Sequence, residues 1–307
     1  MSTQSSPGNG GPVAPMSERP RLINLAYRLL GSLAEAEDAV QESYARWYAM
    51  SPPEQEAITS PGGWLTTVTS RICLDMLRSA RVRRERYTGE WIPEPLPEPA
   101  EWPGGGAAAP ADPADRVTLD ESVSMAFLVM LESMTPAERV AFILHDVFRY
   151  SFAEVGEITG RTPAASRQLA SSARHRVPAA LDPPTPAARY ADVVRDFKRA
   201  WAAGDIRALV SLLDPDAMFT ADGGGIVTAA LRPVEGAGEV ARYLAGLAGA
   251  ALGDVTFLER TVNGQPGLVA QADGVTVTVF AFDITGGRIT RIWAIRNPDK
   301  LRPWTSG

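Results

Sequence analysis

The chain has 307 residues, of which 45% are hydrophobic and 21% charged, and a formal net charge of -6 at pH 7. This length and apolar content suit two or three domains with cores of their own. Cys73 is the single cysteine, so no internal disulfide can form, and with two histidines beside it we expect no metal site and no cofactor. No stretch approaches the roughly 20 apolar residues of a membrane span. The first residues also lack a signal-peptide pattern, so we expect a cytoplasmic protein without membrane contacts.

In chain order, residues 1–16 are rich in Ser, Gly and Pro and predict a disordered tail. Residues 17–89 have apolar side chains at spacings of three and four, which indicates a compact helical domain. Repeated prolines in residues 90–115 predict an extended linker, and residues 116–181 are again helical. Residues 182–307 begin with an amphipathic helix and continue with alternating runs such as GVTVTVFAFDI, which are typical of antiparallel strands. The predicted fold is therefore multidomain, with two all-α domains followed by an α+β domain.

The first helical domain ends in a segment that concentrates positive charge in this acidic chain. Its arginines are Arg71, Arg78, Arg81, Arg83, Arg84 and Arg86. On a helix they lie opposite an apolar stripe, which we assign to Trp64, Leu65, Val68, Ile72 and Met76, with Leu77 as a further candidate. Such a face suits a nucleic-acid backbone, and a solvated charged helix end is the alternative.

The second helical domain has the pattern of a helix-turn-helix. We predict a helix from Pro136, a second over 152–158 and a third over 163–177, with Thr162 as the N-cap of the third. The third helix lacks acidic residues and offers four side chains to a major groove: Arg167, Gln168, Ser171 and Arg174. An ordinary three-helix bundle with a basic face is the alternative.

These two domains resemble the extracytoplasmic-function class of bacterial RNA polymerase sigma factors. The segment AEAEDAVQESYARWY resembles the family's Asp-x-x-Gln-Glu pattern through Asp38, Gln41 and Glu42, which implies contact with the core polymerase. The pattern WL…R…D…R, formed by Trp64, Leu65, Arg71, Asp75 and Arg78, is similar to the family's helix that melts promoter DNA about ten bases upstream. The helix-turn-helix is similar to the family's domain that recognises the element about thirty-five bases upstream. Ile72-Cys73 departs from the family pattern, which has an Asn next to the arginine that corresponds to Arg71.

The third domain resembles the SnoaL-like cone of polyketide cyclases and ketosteroid isomerases, with Asp205 expected as an N-cap. A subgroup of these sigma factors carries such a domain together with three short signatures, and all three are present. They are WIPEP (Trp91, Pro93, Glu94 and Pro95), DGGG (Asp222, Gly223, Gly224 and Gly225) and NPDKL (Asn297, Pro298, Asp299, Lys300 and Leu301). Ile226 stands where the family has Lys.

The sequence thus predicts a sigma factor that binds core polymerase and promoter DNA, and whose activity the fused domain modulates in cis. We expect the linker to pack on the third domain and couple it to the helical domains. Two alternatives stay open: a ligand-responsive helix-turn-helix regulator, and a sigma factor with residual enzyme activity in which Asp222 acts as a general base. The cone could also hold a small ligand.

Overall fold

A computed structural model describes residues 16–84, 87–97, 123–177, 185–251 and 255–305. The predicted tail over residues 1–16 lies outside these residues except for Met16, and the predicted linker lies outside them from residue 98 onward. No helix within the described ranges is long and apolar enough to cross a membrane.

The first helical region contains four helices: α1 (Arg19–Leu30), α2 (Leu33–Ala49), α3 (Pro52–Glu56) and α4 (Pro61–Arg84). Helix α1 ends at Gly31, which has a left-handed φ of 72°. Helix α2 begins at Leu33, and the preceding residue, Ser32, is its N-cap, because the Ser32 hydroxyl accepts from the Glu35 amide. The sharp turn between the two helices leaves the main chain of Gly31 and Leu33 open to a partner from elsewhere in the chain.

The buried face of α4 differs from the predicted apolar stripe. Val68, Ile72 and Met76 are only half-buried. The buried side chains of α4 include small polar ones, and the set is Leu65, Thr66, Thr69, Ser70, Cys73, Leu74 and Leu77. The Thr69 hydroxyl donates to the Ser43 hydroxyl at 2.8 Å, whereas the buried Ser70 hydroxyl has no hydrogen-bond partner among the described residues. Small hydroxyl side chains permit close helix packing, which an apolar pattern alone cannot reveal.

The second helical region contains α5 (Met125–Glu132), α6 (Pro136–Phe142) with a π-helical turn over Ile143–Val147, α7 (Phe152–Thr159) and α8 (Pro163–Arg174). Thr162 caps α8 as predicted, because its hydroxyl accepts from the Ala165 amide at 3.2 Å. Helix α8 ends at Arg174, three residues before the predicted end. The helix–turn–helix geometry of α7 and α8 is therefore present.

The two helical regions share one apolar core, so the prediction of separate cores is wrong for this part of the chain. A continuous cluster of buried side chains runs from Leu22 in α1 to Ala173 in α8. Polar contacts join the regions as well: the guanidinium of Arg139 donates to the carbonyl of Leu29 at 3.0 Å, and that of Arg21 to the Tyr150 hydroxyl at 3.0 Å.

The C-terminal region is α+β, as predicted. Its helices are α9 (Ala187–Ala202), α10 (Ile206–Leu212), α11 (Ala237–Ala251) and α12 (Arg302–Thr305). Its strands are β1 (Leu213–Asp222), β2 (Val234–Glu235), β3 (Val255–Val262), β4 (Gln265–Ala272), β5 (Val275–Thr285) and β6 (Arg288–Ile295). They form one sheet in the order β2-β1-β6-β5-β4-β3. The sheet is mixed rather than wholly antiparallel, because β1 runs parallel to β6.

Both faces of the central strands are covered. One face packs on α9 and α11 through a core that includes Phe197 and Phe282. The opposite face, with Val279 and Trp293, packs against Ile92 of the linker. The C-terminal sheet thus uses its second face to bind the linker between the two helical regions.

Candidate functional site: the linker clamp

The first element of the site is the carboxylate of Asp222, at the end of β1. The side chain is fully buried and accepts four hydrogen bonds. Their donors are the Lys300 ammonium at 2.6 Å, the Tyr87 hydroxyl at 2.6 Å, the Ile92 amide at 3.0 Å and the Gly224 amide at 2.9 Å. Two of these donors belong to the segment 87–97, so a buried charge of the C-terminal region holds the linker.

The second element is Lys300, which follows β6 in a 3₁₀ turn over Pro298–Leu301. Besides its ion pair with Asp222, its ammonium donates to the carbonyl of Ile92. The nitrogen lies 4.1 Å from the ring centroid of Trp91 and 5.3 Å from that of Tyr87. The cation is therefore surrounded by a carboxylate, a carbonyl and two aromatic faces, which together compensate its removal from water.

The DGGG loop approaches the linker closely enough to require glycine. Gly224 and Gly225 have left-handed φ values of 68° and 71°. A Cβ on Gly224 would lie 2.6 Å from the side chain of Asn297, and one on Gly225 would lie 3.1 Å from Thr88. The Asn297 amide in turn donates to the Tyr87 hydroxyl at 2.9 Å. The three sequence signatures thus meet at one place.

The other side of the linker binds the turn between α1 and α2. The Glu94 carboxylate accepts from the Leu33 amide at 2.8 Å and from the Ser32 hydroxyl at 3.1 Å. The Glu94 amide donates to the Gly31 carbonyl at 2.8 Å, and the Tyr27 hydroxyl donates to the Glu94 carbonyl at 2.7 Å. Burial raises the pKa of the Glu94 carboxyl, and the hydrogen bonds from Leu33 and Ser32 oppose that rise.

Asn263 of the C-terminal region contacts both the linker and helix α1, near the end of segment 87–97. It lies in the β3–β4 turn with a φ of 50°. Its side chain donates to the Tyr27 hydroxyl at 2.8 Å and accepts from the Leu96 amide at 3.2 Å, while its own amide donates to the Leu96 carbonyl at 2.9 Å. The Trp304 indole donates to the preceding carbonyl, that of Pro95, at 2.8 Å. We call this whole set of contacts around residues 87–97 the linker clamp.

The sequence pointed to the three signatures but missed clamp members outside them, including four large polar or aromatic side chains. These are Tyr27, Tyr87, Asn263 and Trp304. The Asn-Gly pair at residues 263–264 indicates a hairpin turn. A turn explains the asparagine by itself, so the sequence gives no reason to expect that its side chain also binds Tyr27 and Leu96. The tyrosines carry no local signal of their partners, which lie far away in the sequence.

The four side chains proposed to read DNA lie together and exposed on one face of α8. They are Arg167, Gln168, Ser171 and Arg174. Arg174 also binds Asp146 through two nitrogens, at 2.8 and 3.2 Å, and the guanidinium of Arg167 lies 5.2 Å from the ring centroid of Phe152. Their contact with DNA stays a prediction.

The arginines of α4 are placed differently from one another. Arg71 donates to the carbonyls of Glu157 and Ile158, at 2.7 and 3.4 Å, in the last turn of α7. A cation at this end of a helix is favoured by the helix dipole. Arg78 pairs with Asp75 on the surface at 3.1 Å. The side chains of Arg81, Arg83 and Arg84 lie outside the described part of the chain.

The residues proposed to bind core polymerase, Asp38, Gln41 and Glu42, are all exposed on α2. Glu42 pairs with Arg46 at 2.9 Å. Asp38 lines a shallow groove between α2 and α4 together with Ile72 and Met76.

The C-terminal region contains a half-open cavity of about 280 Å³ on the helix-facing side of its sheet. Among the described residues that line it, none is acidic or a histidine. Asp222 follows the lining residue Ala221 but points its carboxylate to the linker instead. This placement contradicts the alternative in which Asp222 serves the cavity as a general base.

Comparison with protein families agrees with this architecture. Residues 16–83 match Sigma-70 region 2, residues 124–177 match Sigma-70 region 4, and residues 194–296 match the SnoaL-like domain. Together with the helix-turn-helix and the clamp, these matches define an RNA polymerase sigma factor with a fused SnoaL-like domain.

Individual relatives narrow the class. The chain is 42% identical over 295 residues to the ECF RNA polymerase sigma factor SigJ of Mycobacterium tuberculosis (strain ATCC 25618 / H37Rv), covering 92% of this chain and 90% of SigJ. It is 35% identical to the probable ECF RNA polymerase sigma factor SigI of the same strain, covering 94% and 93%. The crystal structure of SigJ superposes with a TM-score of 0.72 over 94% of this chain and 96% of SigJ, at 36% identity. The chain therefore belongs to the ECF RNA polymerase sigma factor family.

Proposed function

We propose that the SnoaL-like domain of this sigma factor controls promoter recognition in cis, by holding the linker between the two helical domains. The observation that carries the proposal is the linker clamp, which binds residues 87–97 from the C-terminal region on one side and from the α1–α2 turn on the other. The clamp is a property of one chain. Covalent linkage gives it a high effective concentration, so no separate regulator is required to form it.

The arrangement of the helical domains supports control by opening. In this class the two domains read promoter elements separated by roughly 25 base pairs, which is about 85 Å of duplex at 3.4 Å per pair. Helix α8 is about 18 Å long, from its 12 residues at 1.5 Å each, and its partner α7 is bound directly by Arg71 of α4. While the two helical domains are in contact, they cannot reach both promoter elements at once. The domains must therefore separate before transcription can begin.

We assign the contacts with partners to surfaces that the clamp leaves exposed. Asp38, Gln41 and Glu42 bind core polymerase, in the cytoplasm where this enzyme acts. The exposed face of α8 binds the upstream promoter element. Arg71 and Arg78, with Arg81, Arg83 and Arg84, bind the melted element after opening. The domain limits near residues 89, 115 and 181 are part of the same proposal, and the cavity of the SnoaL-like domain is its place for a small ligand.

Binding to core polymerase tests the sigma-factor surface directly. The variant carrying Asp38→Ala, Gln41→Ala and Glu42→Ala should lose binding to purified core enzyme, measured by gel filtration of the mixture. Glu56→Gln removes an exposed acid from the neighbouring helix α3 and should bind as the parent does. Equal binding by the triple variant and the parent would contradict the assignment.

A further inference from the structure

The cavity of the SnoaL-like domain has an aromatic wall and one charged end. Its aromatic lining consists of Trp201, Phe219, Tyr243, Phe257 and Phe280. The indole nitrogen of Trp201 already donates to the Leu244 carbonyl, so this ring presents an apolar face. Among the described lining residues, Arg296 alone carries a charge. The volume of about 280 Å³ is near the lower end of the range for small-molecule sites, which is roughly 300–1,000 Å³.

Arg296 places a positive charge at one end of the cavity. It follows β6 directly, and its guanidinium donates to the Thr228 carbonyl. One bond to a carbonyl leaves most of the five guanidinium hydrogens for another acceptor. Arg296 also opposes the rise that burial causes in the pKa of Tyr243, which indicates that its positive charge acts on the interior of the cavity. An apolar ring with a carboxylate matches this combination.

The wall of the cavity continues into the linker clamp. Ala221 and Ala294 line the cavity and are directly paired between β1 and β6. One residue further along β1 is Asp222, whose carbonyl accepts from the amides of Arg296 at 2.7 Å and Asn297 at 3.0 Å. Because side chains alternate along a strand, neighbouring residues of the same two strand ends serve the cavity on one face and the clamp on the other.

We propose that this cavity binds a small aromatic carboxylic acid, with the carboxylate on Arg296, and that the bound acid stabilises the closed clamp. The ends of β1 and β6 serve both the cavity and the clamp, so a ligand that holds these strand ends in their closed arrangement binds the closed state more tightly and shifts the population towards it. The regulatory consequence rests on the proposed cis control. The binding and its coupling to the clamp do not require polymerase.

The ligand class is tested by calorimetry on the full chain with three acids of increasing size: salicylate, 2-naphthoate and anthracene-2-carboxylate. We expect at least one to bind, and its uncharged amide to bind at least about tenfold more weakly, because a charge-assisted hydrogen bond is lost. Arg296→Gln should remove this preference. Arg291→Gln, which changes an exposed arginine of β6, should keep it. Ala272→Phe should abolish binding by filling the cavity.

The coupling is tested on the parent chain by acetylation of Lys300, followed by mass spectrometry. A saturating acid should slow acetylation of Lys300 and leave Lys198 unchanged. By reciprocity, Asp222→Asn should weaken the binding of the acid. The proposal is overturned if none of the acids binds at about 1 mM, if acid and amide bind equally, or if Lys300 reacts at the same rate with and without ligand. None of these results affects the transcription assays that test cis control, so the two proposals fail separately.

Discussion

The ammonium of Lys300 and the carboxylate of Asp222 lie 2.6 Å apart, and the main chain of Ile92 bonds to both of them. The side chains are 10% and 0% exposed. The linker residue accepts from the cation through its carbonyl and donates to the anion through its amide. The ion pair and the bound position of the linker therefore stabilise each other.

The first prediction concerns the energy of this pair. Lys300→Met or Asp222→Asn each leaves a buried group without its partner, so each should lower the free energy of unfolding by about 3–5 kcal/mol. The double variant should cost clearly less than the sum of the two. Lys198→Met, which breaks an exposed pair with Glu259, should cost less than about 1 kcal/mol. Urea unfolding followed by tryptophan fluorescence measures all four, and strict additivity would contradict a coupled pair.

The second prediction uses the fact that Lys198 and Lys300 are the only two lysines of the chain. Acetylation by a limiting amount of reagent should modify Lys300 at least about tenfold more slowly than Lys198, because Lys300 reacts only when the clamp opens locally. Peptide mass spectrometry reads both sites in one sample. Similar rates would mean that the clamp is open for most of the time.

The third prediction separates backbone strain from contact with the linker. Gly31 and Gly204 have similar left-handed φ values, 72° and 62°, so alanine at either should cost roughly 1–2 kcal/mol for conformation alone. At Gly31 the new Cβ would also lie 2.9 Å from the Trp91 ring, whereas at Gly204 no described atom lies within 4 Å. Gly31→Ala should therefore cost more in thermal unfolding and should expose the linker to protease. Equal effects of the two variants would refute the contact with Trp91.

The fourth prediction concerns pH. Burial raises the pKa of Glu94 in the folded chain above its ordinary value of 4.5. The folded state then holds a proton that the unfolded state has lost, so this group's contribution to stability falls as pH rises from about 4.5 through the folded pKa and is constant above it. Glu94→Gln cannot titrate. The difference in unfolding free energy between parent and variant should change only in this window, and parallel pH curves would contradict the prediction.

The fifth prediction concerns the contact between the helical domains. Arg71→Gln removes the charge-assisted bonds to the end of α7, a loss of about 1.5–3 kcal/mol, which should raise the open population roughly tenfold or more. Spin labels at Tyr48→Cys and Val177→Cys would report longer distances in this variant. Cys73 is buried and burial raises the pKa of its thiol, so it should not be labelled. Arg78→Gln removes a surface arginine of the same helix and serves as the control; an unchanged distance distribution in Arg71→Gln would refute the contact.

Local features were predictable from the sequence because their causes are local. Thr162 and Asp205 cap their helices as expected, since an N-cap depends on residues two or three positions away. The change from helical to alternating periodicity correctly separated the SnoaL-like domain. The three signatures identified one site because their resemblance to a family subgroup carried information that spacing alone does not.

Long-range contacts were not predictable. The pairing of Tyr27 with Asn263 joins residues at opposite ends of the chain, and neither residue has a local pattern that indicates the other. The positive charge of Arg71 suggested nucleic acid, but its hydrogen bonds go to main-chain carbonyls, which have no sequence signature. The shared core of the helical regions was not predictable either, because an apolar helix face in the sequence does not show which domain will cover it.

The most direct test of cis control is run-off transcription with purified core polymerase on a promoter that this sigma factor recognises. The parent chain, Lys300→Met and Lys198→Met are compared at equal concentrations, after gel filtration has shown that each is folded and binds core enzyme. If the clamp holds the helical domains closed, Lys300→Met should change transcript yield several-fold while Lys198→Met matches the parent. Equal yields from all three proteins, with Lys300 acetylation showing that the clamp is closed in the parent, would contradict control by the clamp.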